Sequence, residues 1–234
     1  MQAVILAGGK GTRLKPYTVT IPKPLVPVGE HPILEVILRQ LKQQGFKRVT
    51  LAVGYHSELI QAYFLKGEKH GLTIEYSLED EPLGTAGPLK LIKDLDEHFL
   101  VMNSDDLSDF NYAEFLEFHI KNKAMITIGM FSKEQKIDLG IIEAGQANVV
   151  KNYIEKPTYH FKVSMGIYAF RKKAIDYIPE KKYYDFPDLI RVLLKNNQKV
   201  LAYPHRGFWL DIGRPEDYEV ANEKFEEIKK TLGY

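Results

Sequence analysis

The chain begins with MQAVILAGGKGTRL, residues 1–14, and this stretch decides the fold class. Its apolar part, Ala3 to Leu6, has the pattern of a short buried strand, and it breaks directly into a loop with three glycines. Glycines leave backbone N–H groups unshielded, and Arg13 and Lys23 add fixed positive charge nearby. A strand that ends in such a loop predicts an α/β protein with a phosphate-binding site.

Two common phosphate loops do not fit this spacing. A dinucleotide-binding loop needs G-x-G-x-x-G and a P-loop needs G-x-x-x-x-G-K-[ST], and residues 8–13 satisfy neither pattern. No acidic residue closes the second predicted strand, where a ribose-binding carboxylate is expected. A dinucleotide-dependent oxidoreductase is therefore disfavoured, and a titration with a nicotinamide cofactor would test it.

Composition narrows the functional classes further. The 234 residues and 44% hydrophobic content suit one α/β domain. The net charge is +1, from 32 basic and 31 acidic residues, so a general attraction to nucleic acid or to a membrane surface is not expected. The absence of cysteine excludes disulfides and thiolate chemistry within this sequence. No apolar run approaches the length of a signal peptide or membrane span, so we expect a cytoplasmic protein.

Hydrophobic periodicity predicts a βαβ order in the first half and a strand-rich second half. The predicted strands are 3–6, 48–53, 73–77, 99–103, 124–131, 140–143, 149–155, 163–170 and 199–203. The predicted helices are 32–44, 57–66, 85–94 and 186–195. No linker or internal repeat separates the halves, so we expect a single domain in which antiparallel elements extend a parallel sheet.

Polar residues lie at the carboxyl end of one of these strands. Asn103 is the last residue of the apolar strand 99–103, and Ser104, Asp105 and Asp106 follow it. Ligands gather beyond the carboxyl ends of strands in open parallel sheets. We therefore expect this segment and the glycine-rich loop to face one crevice.

The first loop closely resembles a known family. Residues 6–23 match, without a gap, the signature L-A-G-G-x-G-T-R-L-x-P-x-T followed by P-K-P of the sugar-1-phosphate nucleotidyltransferases. The resemblance implies a Rossmann-like three-layer mixed sheet of the nucleotide-diphospho-sugar transferase type. It also implies a reaction in which an NTP and a sugar 1-phosphate give an NDP-sugar and pyrophosphate.

Residues 79–87, EDEPLGTAG, resemble the family segment that receives the nucleotide base. The carboxylate of Glu79 can accept hydrogen bonds from the N1–H and amino group of guanine, a pattern that uracil and thymine do not offer. With the first loop and the strand end, the resemblance assigns nucleotide binding to Leu6, Ala7, Gly8, Gly9, Gly11, Thr12, Arg13, Lys23, Glu79, Pro82, Gly84, Thr85, Asn103 and Ser104.

Two further motifs resemble the family's metal ligands. Asn103-Ser104-Asp105 matches the form N-S-D, and residues 208–213, FWLDIG, match W-x-D-I/T-G. The resemblance makes Asp105 and Asp211 ligands of Mg²⁺, which prefers hard oxygen donors. Asp106 is the alternative to Asp105, and either aspartate can also cap a turn. The implied catalytic residues are Arg13, Lys23, Asp105 and Asp211.

The sugar phosphate is expected to contact the second half. Glu155 and Lys156 match the family's E-K-P, and Gly140 and Gly166 match glycines beside the sugar. The sequence departs from the pattern at Leu139, where an aromatic residue is common, and at Ser164, where asparagine is common. The resemblance thus assigns sugar-phosphate binding to Gly140, Glu155, Lys156, Ser164 and Gly166.

The short N-S-D motif and the base-binding segment favour a mannose-1-phosphate guanylyltransferase among the family's branches. Heptose-1-phosphate guanylyltransferase and glucose-1-phosphate uridylyl- or thymidylyltransferase share the same phosphate loop and aspartates. A catalytically silent nucleotide-sugar sensor remains an alternative from another class. We expect a nucleotide-facing part at about residues 1–110 and a sugar-facing part at about 111–234, without a C-terminal left-handed β-helix. A homodimer is compatible with the sequence.

Overall fold

The computed structural model describes residues 1–232. Its strands are β1 (Gln2–Ala7), β2 (Pro27–Val28), β3 (His31–Pro32), β4 (Arg48–Val53), β5 (Thr73–Leu78), β6 (His98–Asn103), β7 (Asp106–Ser108), β8 (Ile126–Lys136), β9 (Ile141–Ala144), β10 (Val150–Ile154), β11 (Thr158–Arg171), β12 (Val200–His205) and β13 (Trp209–Asp211). Its α-helices are α1 (Ile33–Gln43), α2 (Ser57–Phe64), α3 (Tyr112–Lys121), α4 (Phe186–Lys195) and α5 (Pro215–Thr231).

Within these residues, seven strands form one sheet in the order β12-β8-β11-β6-β1-β4-β5. Strand β11 is antiparallel to both of its neighbours, β6 and β8, whereas the other pairings are parallel. The predicted mixed α/β sheet is confirmed. Strands β1, β4, β5 and β6 all end at the same edge, which is where the crevice is expected.

Alternation along the central strands creates two apolar layers. In β1, Ala3 and Ile5 pack into the cluster beneath α1, α2, α3 and α5, whereas Val4 packs into a second cluster with α4. In β6, Leu100 and Phe99 divide between the same two layers. Both strands are therefore covered on both faces, which is typical of a parallel sheet between helices and confirms the three-layer architecture.

Local signals explain several helix ends. Helix α1 stops one residue before the predicted end, and Gly45 follows with φ 84°, a left-handed conformation suited to the C′ position. Helix α3 was not predicted, although the Asn111 side chain caps it by accepting a hydrogen bond from the Glu114 N–H at 3.0 Å.

The helix predicted over 85–94 is wrong. The segment contains a short 3₁₀ turn, Gly87–Leu91. The backbone N–H groups of Ala86 and Gly87 both donate to the Tyr184 carbonyl, at 2.9 and 3.0 Å. Contacts with the segment before α4 therefore override the local helical pattern.

Two small features lie outside the main sheet. Strands β7 and β13 form an antiparallel pair beyond the end of β6. Strands β8 and β11 also continue past their other neighbours as a two-stranded arm, with Thr158 opposite Lys136. The β9–β10 hairpin joins the two strands of this arm. No helix in residues 1–232 is long and apolar enough to cross a membrane.

Candidate active site

A cleft of about 720 Å³ opens at the carboxyl ends of β1, β4, β5 and β6. The glycine-rich loop and residues 103–105 both line it, so the predicted shared crevice is confirmed for these residues. Asp106, the last residue of the predicted segment, is buried and does not line the cleft. All fourteen residues assigned to the nucleotide contribute to its walls. Three residues of the second half, Tyr183, Asp185 and Gly213, also line it.

The glycine-rich loop is shaped by close contacts rather than by flexibility. Gly11 has φ 59°, and its carbonyl accepts hydrogen bonds from the Leu14 N–H at 3.0 Å and the Thr18 hydroxyl at 2.7 Å. A Cβ on Gly8 would collide with the Glu79 carboxylate. Gly9 by contrast faces open space. Small residues therefore keep the loop backbone accessible from the cleft.

The two predicted phosphate-binding cations occupy different environments. Arg13 is exposed on the 3₁₀ turn Thr12–Leu14. Gly213 lies beside both Arg13 and Asp211, since a Cβ on this glycine would be 3.4 Å from Arg13 Nη1 and from the Asp211 carboxylate oxygens. Lys23 is buried, and its ammonium pairs with Asp105 Oδ2. Lys23 is thus held at the end of the cleft that contains Asp105, a predicted metal ligand.

A cluster of three carboxylates lies at this end. The β7–β13 pair places Asp106 opposite Asp211, and the Ile212 N–H donates to the Asp105 carbonyl at 3.0 Å. One carboxylate oxygen from each of Asp105, Asp106 and Asp211 lies within 4.8 Å of the others. Two segments about a hundred residues apart therefore meet, as the metal assignment requires.

Burial and mutual repulsion affect the acidity of this cluster. Burial raises the pKa of Asp211, the Asp105 charge raises it further, and Lys23 and Arg13 oppose the shift. Burial and the charges of Asp105 and Asp211 raise the pKa of Asp106 well above its usual range. The raised pKa values reflect burial and repulsion among the three carboxylates, and a bound cation would relieve that repulsion.

The predicted base-binding segment is tied to α4. The Thr85 N–H and hydroxyl donate to Asp185 Oδ1, at 2.8 and 3.0 Å, and the Thr85 hydroxyl accepts from the Phe186 N–H at 2.9 Å. Gly84 has φ 80°, and a Cβ there would press on Tyr184 and Asp185. Gly84 and Thr85 therefore have structural roles in addition to their place in the cleft wall.

Glu79 follows β5 and is half-buried in the cleft wall. Its Oε2 accepts a hydrogen bond from the Leu83 N–H at 3.1 Å, which closes the base-binding segment. Burial raises the pKa of Glu79, and this hydrogen bond partly lowers it. One carboxylate oxygen is thus committed to the loop, while Oε1 faces the glycines Gly8 and Gly54.

The predicted sugar-binding residues are not gathered in the cleft. Glu155 and Lys156 are exposed beside the β9–β10 hairpin, where Glu155 accepts a hydrogen bond from the Tyr153 hydroxyl at 3.0 Å and Gly140 lies against that hydroxyl. The Ser164 hydroxyl donates to the Tyr168 hydroxyl at 3.0 Å. These side chains lie on the arm and its hairpin.

Gly166 is the sugar candidate that reaches the carboxylate cluster. It has φ 75°, and a Cβ there would lie 2.6 Å from Asp106 Oδ2 and would overlap the Asn103 amide. The glycine therefore allows β11 to pack closely against Asn103, at the end of β6, and against Asp106.

Sequence reasoning missed several residues of the cleft. Gly54 and Tyr55 follow β4, and the rule that placed the other loops at the carboxyl edge could have found them. Tyr183 and Asp185 have no comparable local signal, because they enter the cleft through the contact of their loop with Thr85.

Comparisons with known proteins agree with this architecture. Residues 2–228 match the Nucleotidyl transferase family. The mannose-1-phosphate guanyltransferase of Yarrowia lipolytica is 37% identical over 232 residues, covering 93% of this chain and 62% of that protein. The catalytic subunit beta of mannose-1-phosphate guanylyltransferase from Drosophila melanogaster is 36% identical over 228 residues, covering 93% of this chain and 60% of that protein.

Among solved structures, HddC from Yersinia pseudotuberculosis, complexed with GMP-PN, is 29% identical, with a TM-score of 0.73 and coverage of 96% of this chain and 99% of that one. The chain spans about three fifths of the length of the curated relatives that it matches. Because the family match covers nearly all of the described residues, this chain belongs to the nucleotidyl transferase family.

Proposed function

We propose that this chain transfers a guanylyl group from GTP to mannose 1-phosphate and so produces GDP-mannose and pyrophosphate. The observation that carries the proposal is the meeting of the glycine-rich loop, Arg13, Lys23 and Asp105 at one cleft, with the carboxylates of Asp106 and Asp211 close to that of Asp105. Backbone N–H groups and fixed cations suit a triphosphate, and carboxylates suit a divalent cation that accompanies it.

The carboxylate cluster fits a Mg²⁺ site. Its donors are all hard oxygens, and Asp106 Oδ2 is buried without a hydrogen-bond partner among the described residues. Asp105 and Asp211 would hold the ion. When bound, Mg²⁺ neutralises charge on phosphate oxygens and orients them.

The reaction needs no general base, because a phosphate oxygen is already ionised at neutral pH. A sugar-phosphate oxygen attacks the α-phosphorus in line, a new P–O bond forms, and the bond from the α-phosphorus to the oxygen that bridges it to the β-phosphorus breaks. Arg13 binds the β- and γ-phosphates, which leave as pyrophosphate. Lys23 neutralises the charge that develops at the α-phosphate, and Lys156 orients the attacking phosphate.

The choice of guanine and mannose is supported by the relatives and by Glu79. The two curated relatives carry the name of a mannose-1-phosphate guanylyltransferase, and HddC was solved with GMP-PN. The free Oε1 of Glu79 in the cleft wall suits the donor edge of guanine. Gly140, Glu155, Lys156, Ser164 and Gly166 are the proposed sugar-phosphate contacts, so residues beyond about 110 contribute the sugar-facing part.

The partners in this proposal are small molecules, namely an NTP and a sugar 1-phosphate, and no nucleic acid is needed. A homodimer stays a prediction. Sedimentation of the purified chain over a tenfold range of concentration tests it, because a reversible dimer becomes more populated as concentration rises.

Pyrophosphate release with Mg²⁺ tests the proposed function. GTP, UTP, dTTP, CTP and ATP are each combined with mannose 1-phosphate, glucose 1-phosphate and a heptose 1-phosphate. Release with GTP and mannose 1-phosphate alone supports the full proposal, and release with another pair overturns the substrate choice. Silence with every pair, combined with GTP binding, favours the sensor. Asp211→Asn is the control variant, since loss of a proposed metal ligand should abolish the signal.

A further inference from the structure

The proposed reaction makes Asp105 and Asp211 metal ligands but assigns no role to Asp106. Asp106 is the first residue of β7 and is 1% exposed. Its Oδ1 accepts a hydrogen bond from Trp209 Nε1 at 3.2 Å, whereas its Oδ2 has no hydrogen-bond partner among residues 1–232. A buried carboxylate oxygen without a partner is costly, so this atom calls for an explanation.

The surroundings of Asp106 point to a cation. A carboxylate oxygen of Asp106 lies within 4.8 Å of one from Asp105 and one from Asp211. Lys23 pairs with Asp105, and no ion pair joins Asp106 to any lysine, arginine or histidine of the described chain. The nearby cationic side chains therefore leave Asp106 without a direct counterion.

Gly166 packs closely against Asp106 Oδ2. A side chain at this position does not fit, since a Cβ there would lie 2.6 Å from Oδ2 and 2.3 Å from the Asn103 amide nitrogen. Gly166 holds this position with φ 75°, a backbone conformation that favours glycine. The close packing of Gly166 therefore leaves Asp106 Oδ2 without a protein partner, in a side chain that lies close to two other carboxylates, and this is the arrangement expected of a group that binds a cation.

Mg²⁺ sites that depend on a substrate typically use one or two protein carboxylates and complete the shell with phosphate oxygens and water. This cluster offers three carboxylates. We propose that Asp106 is a third carboxylate ligand of the cation site, and that it lets the free protein bind a divalent cation before the nucleotide arrives. The inference rests on the proposed function for its biological meaning, but binding of the cation can be measured without turnover.

The main alternative is that Asp106 has a structural role only. In that case it is a neutral acid whose only function is to hold the Trp209 indole. Asparagine has nearly the same shape as a neutral aspartic acid, and its amide oxygen can still accept the indole hydrogen bond. Asp106→Asn therefore separates a charged ligand from a neutral structural acid.

Binding of Mn²⁺ to the purified full chain, without nucleotide or Mg²⁺, tests the inference. The loss of the electron paramagnetic resonance signal of free Mn²⁺ reports binding. We expect one Mn²⁺ per wild-type chain and a dissociation constant about 10- to 100-fold higher for Asp106→Asn. The matched control is Asp109→Asn, which removes a carboxylate three residues away that pairs instead with His205 at 2.9 Å; its affinity should equal that of the wild type.

Two results overturn the inference: no Mn²⁺ binding by the wild type in the absence of nucleotide, or equal affinity for the wild type and Asp106→Asn. If Asp106→Asn does not fold, as judged by circular dichroism, Asp106→Ser takes its place, and an affinity equal to that of the wild type again overturns the inference. Pyrophosphate release is measured on the same preparation. If pyrophosphate is released but Mn²⁺ does not bind in the absence of nucleotide, this inference is rejected and the proposed function stands. If Mn²⁺ binds but no substrate pair releases pyrophosphate, the proposed function alone is rejected.

Discussion

Replacement of Lys23 by methionine should separate two effects of this lysine, its contribution to turnover and its competition with a metal ion for Asp105. Lys23 is buried, and its ammonium pairs with Asp105, a proposed metal ligand. Methionine retains most of the buried aliphatic length and removes only the charge. The variant should therefore lose turnover and at the same time bind a divalent cation more tightly.

The magnitudes follow from what Lys23 contacts. A hydrogen bond to a charged group contributes about 1.5–3 kcal/mol net, so removal of this competitor for Asp105 should tighten cation binding by roughly 10- to 100-fold. Loss of one preorganised group that stabilises developing charge typically costs about 10²- to 10³-fold in turnover. Without a cation, the variant leaves Asp105 facing Asp106 and Asp211 unbalanced. Its stability should then depend strongly on the metal.

The assays are Mn²⁺ titration of the free chain, pyrophosphate release, and thermal unfolding with and without Mn²⁺. A concentration of Mn²⁺ equal to 100 times the dissociation constant should stabilise the variant by about 2.7 kcal/mol. Unchanged or weaker Mn²⁺ binding would refute the reasoning that Lys23 occupies the place of the cation. Wild-type turnover would remove Lys23 from the reaction.

Three further predictions concern single side chains. Arg13→Ala should lower pyrophosphate release while the free energy of unfolding in urea changes by less than about 0.5 kcal/mol, because Arg13 is exposed; full activity would contradict its role. Burial raises the pKa of Glu79 in the folded protein. The protonated Glu79 therefore stabilises the fold below pH 4.5, the ordinary pKa of a glutamate, and this stabilisation is lost as the pH rises through the pKa of the folded protein. Glu79→Gln should thus raise the melting temperature at pH 7.5, by an amount that shrinks towards pH 4.5, and should lower the GTP-to-UTP activity ratio. Burial lowers the pKa of His119 from 6.5 to about 4, so the wild type should lose roughly 2 kcal/mol between pH 7.5 and pH 5 that His119→Gln retains; equal losses in urea titrations would show that His119 does not carry this dependence.

The sequence predicted the bounds of those helices and strands that have a clear pattern of apolar residues within the element itself. Strand β4 and helix α4 have their predicted bounds, because one is a continuous buried apolar run and the other has an apolar face at helical spacing. Strand β11 was predicted from 163 but begins at Thr158, since its first residues are exposed and only their pairing with β8 makes them a strand. Helix α3 was missed although Asn111 and Glu114 form a readable capping signature.

The candidate site divides in the same way. Periodicity and the carboxyl-edge rule were enough to bring the glycine-rich loop and the segment 103–105 together. No local signal pairs β7 with β13, so the meeting of Asp105 with Asp211 came from the family resemblance alone. The contact of Asp185 with Thr85 is a long-range hydrogen bond between two loops, and no sequence pattern in either loop predicts it.

The two halves of the site differ in how firmly they are built. The proposed base-binding segment is fixed by Thr85, whose hydroxyl both donates and accepts, and by Gly84, whose conformation and packing leave little freedom. Apart from Gly166, the proposed sugar contacts lie on the arm and its hairpin, where Leu139 is 74% exposed. Buried, hydrogen-bonded positions resist substitution, whereas exposed positions usually change stability by less than about 0.5 kcal/mol. Changes that alter sugar choice can therefore accumulate on the arm without loss of the fold, while a change of base must also preserve the contacts that hold the cleft wall together.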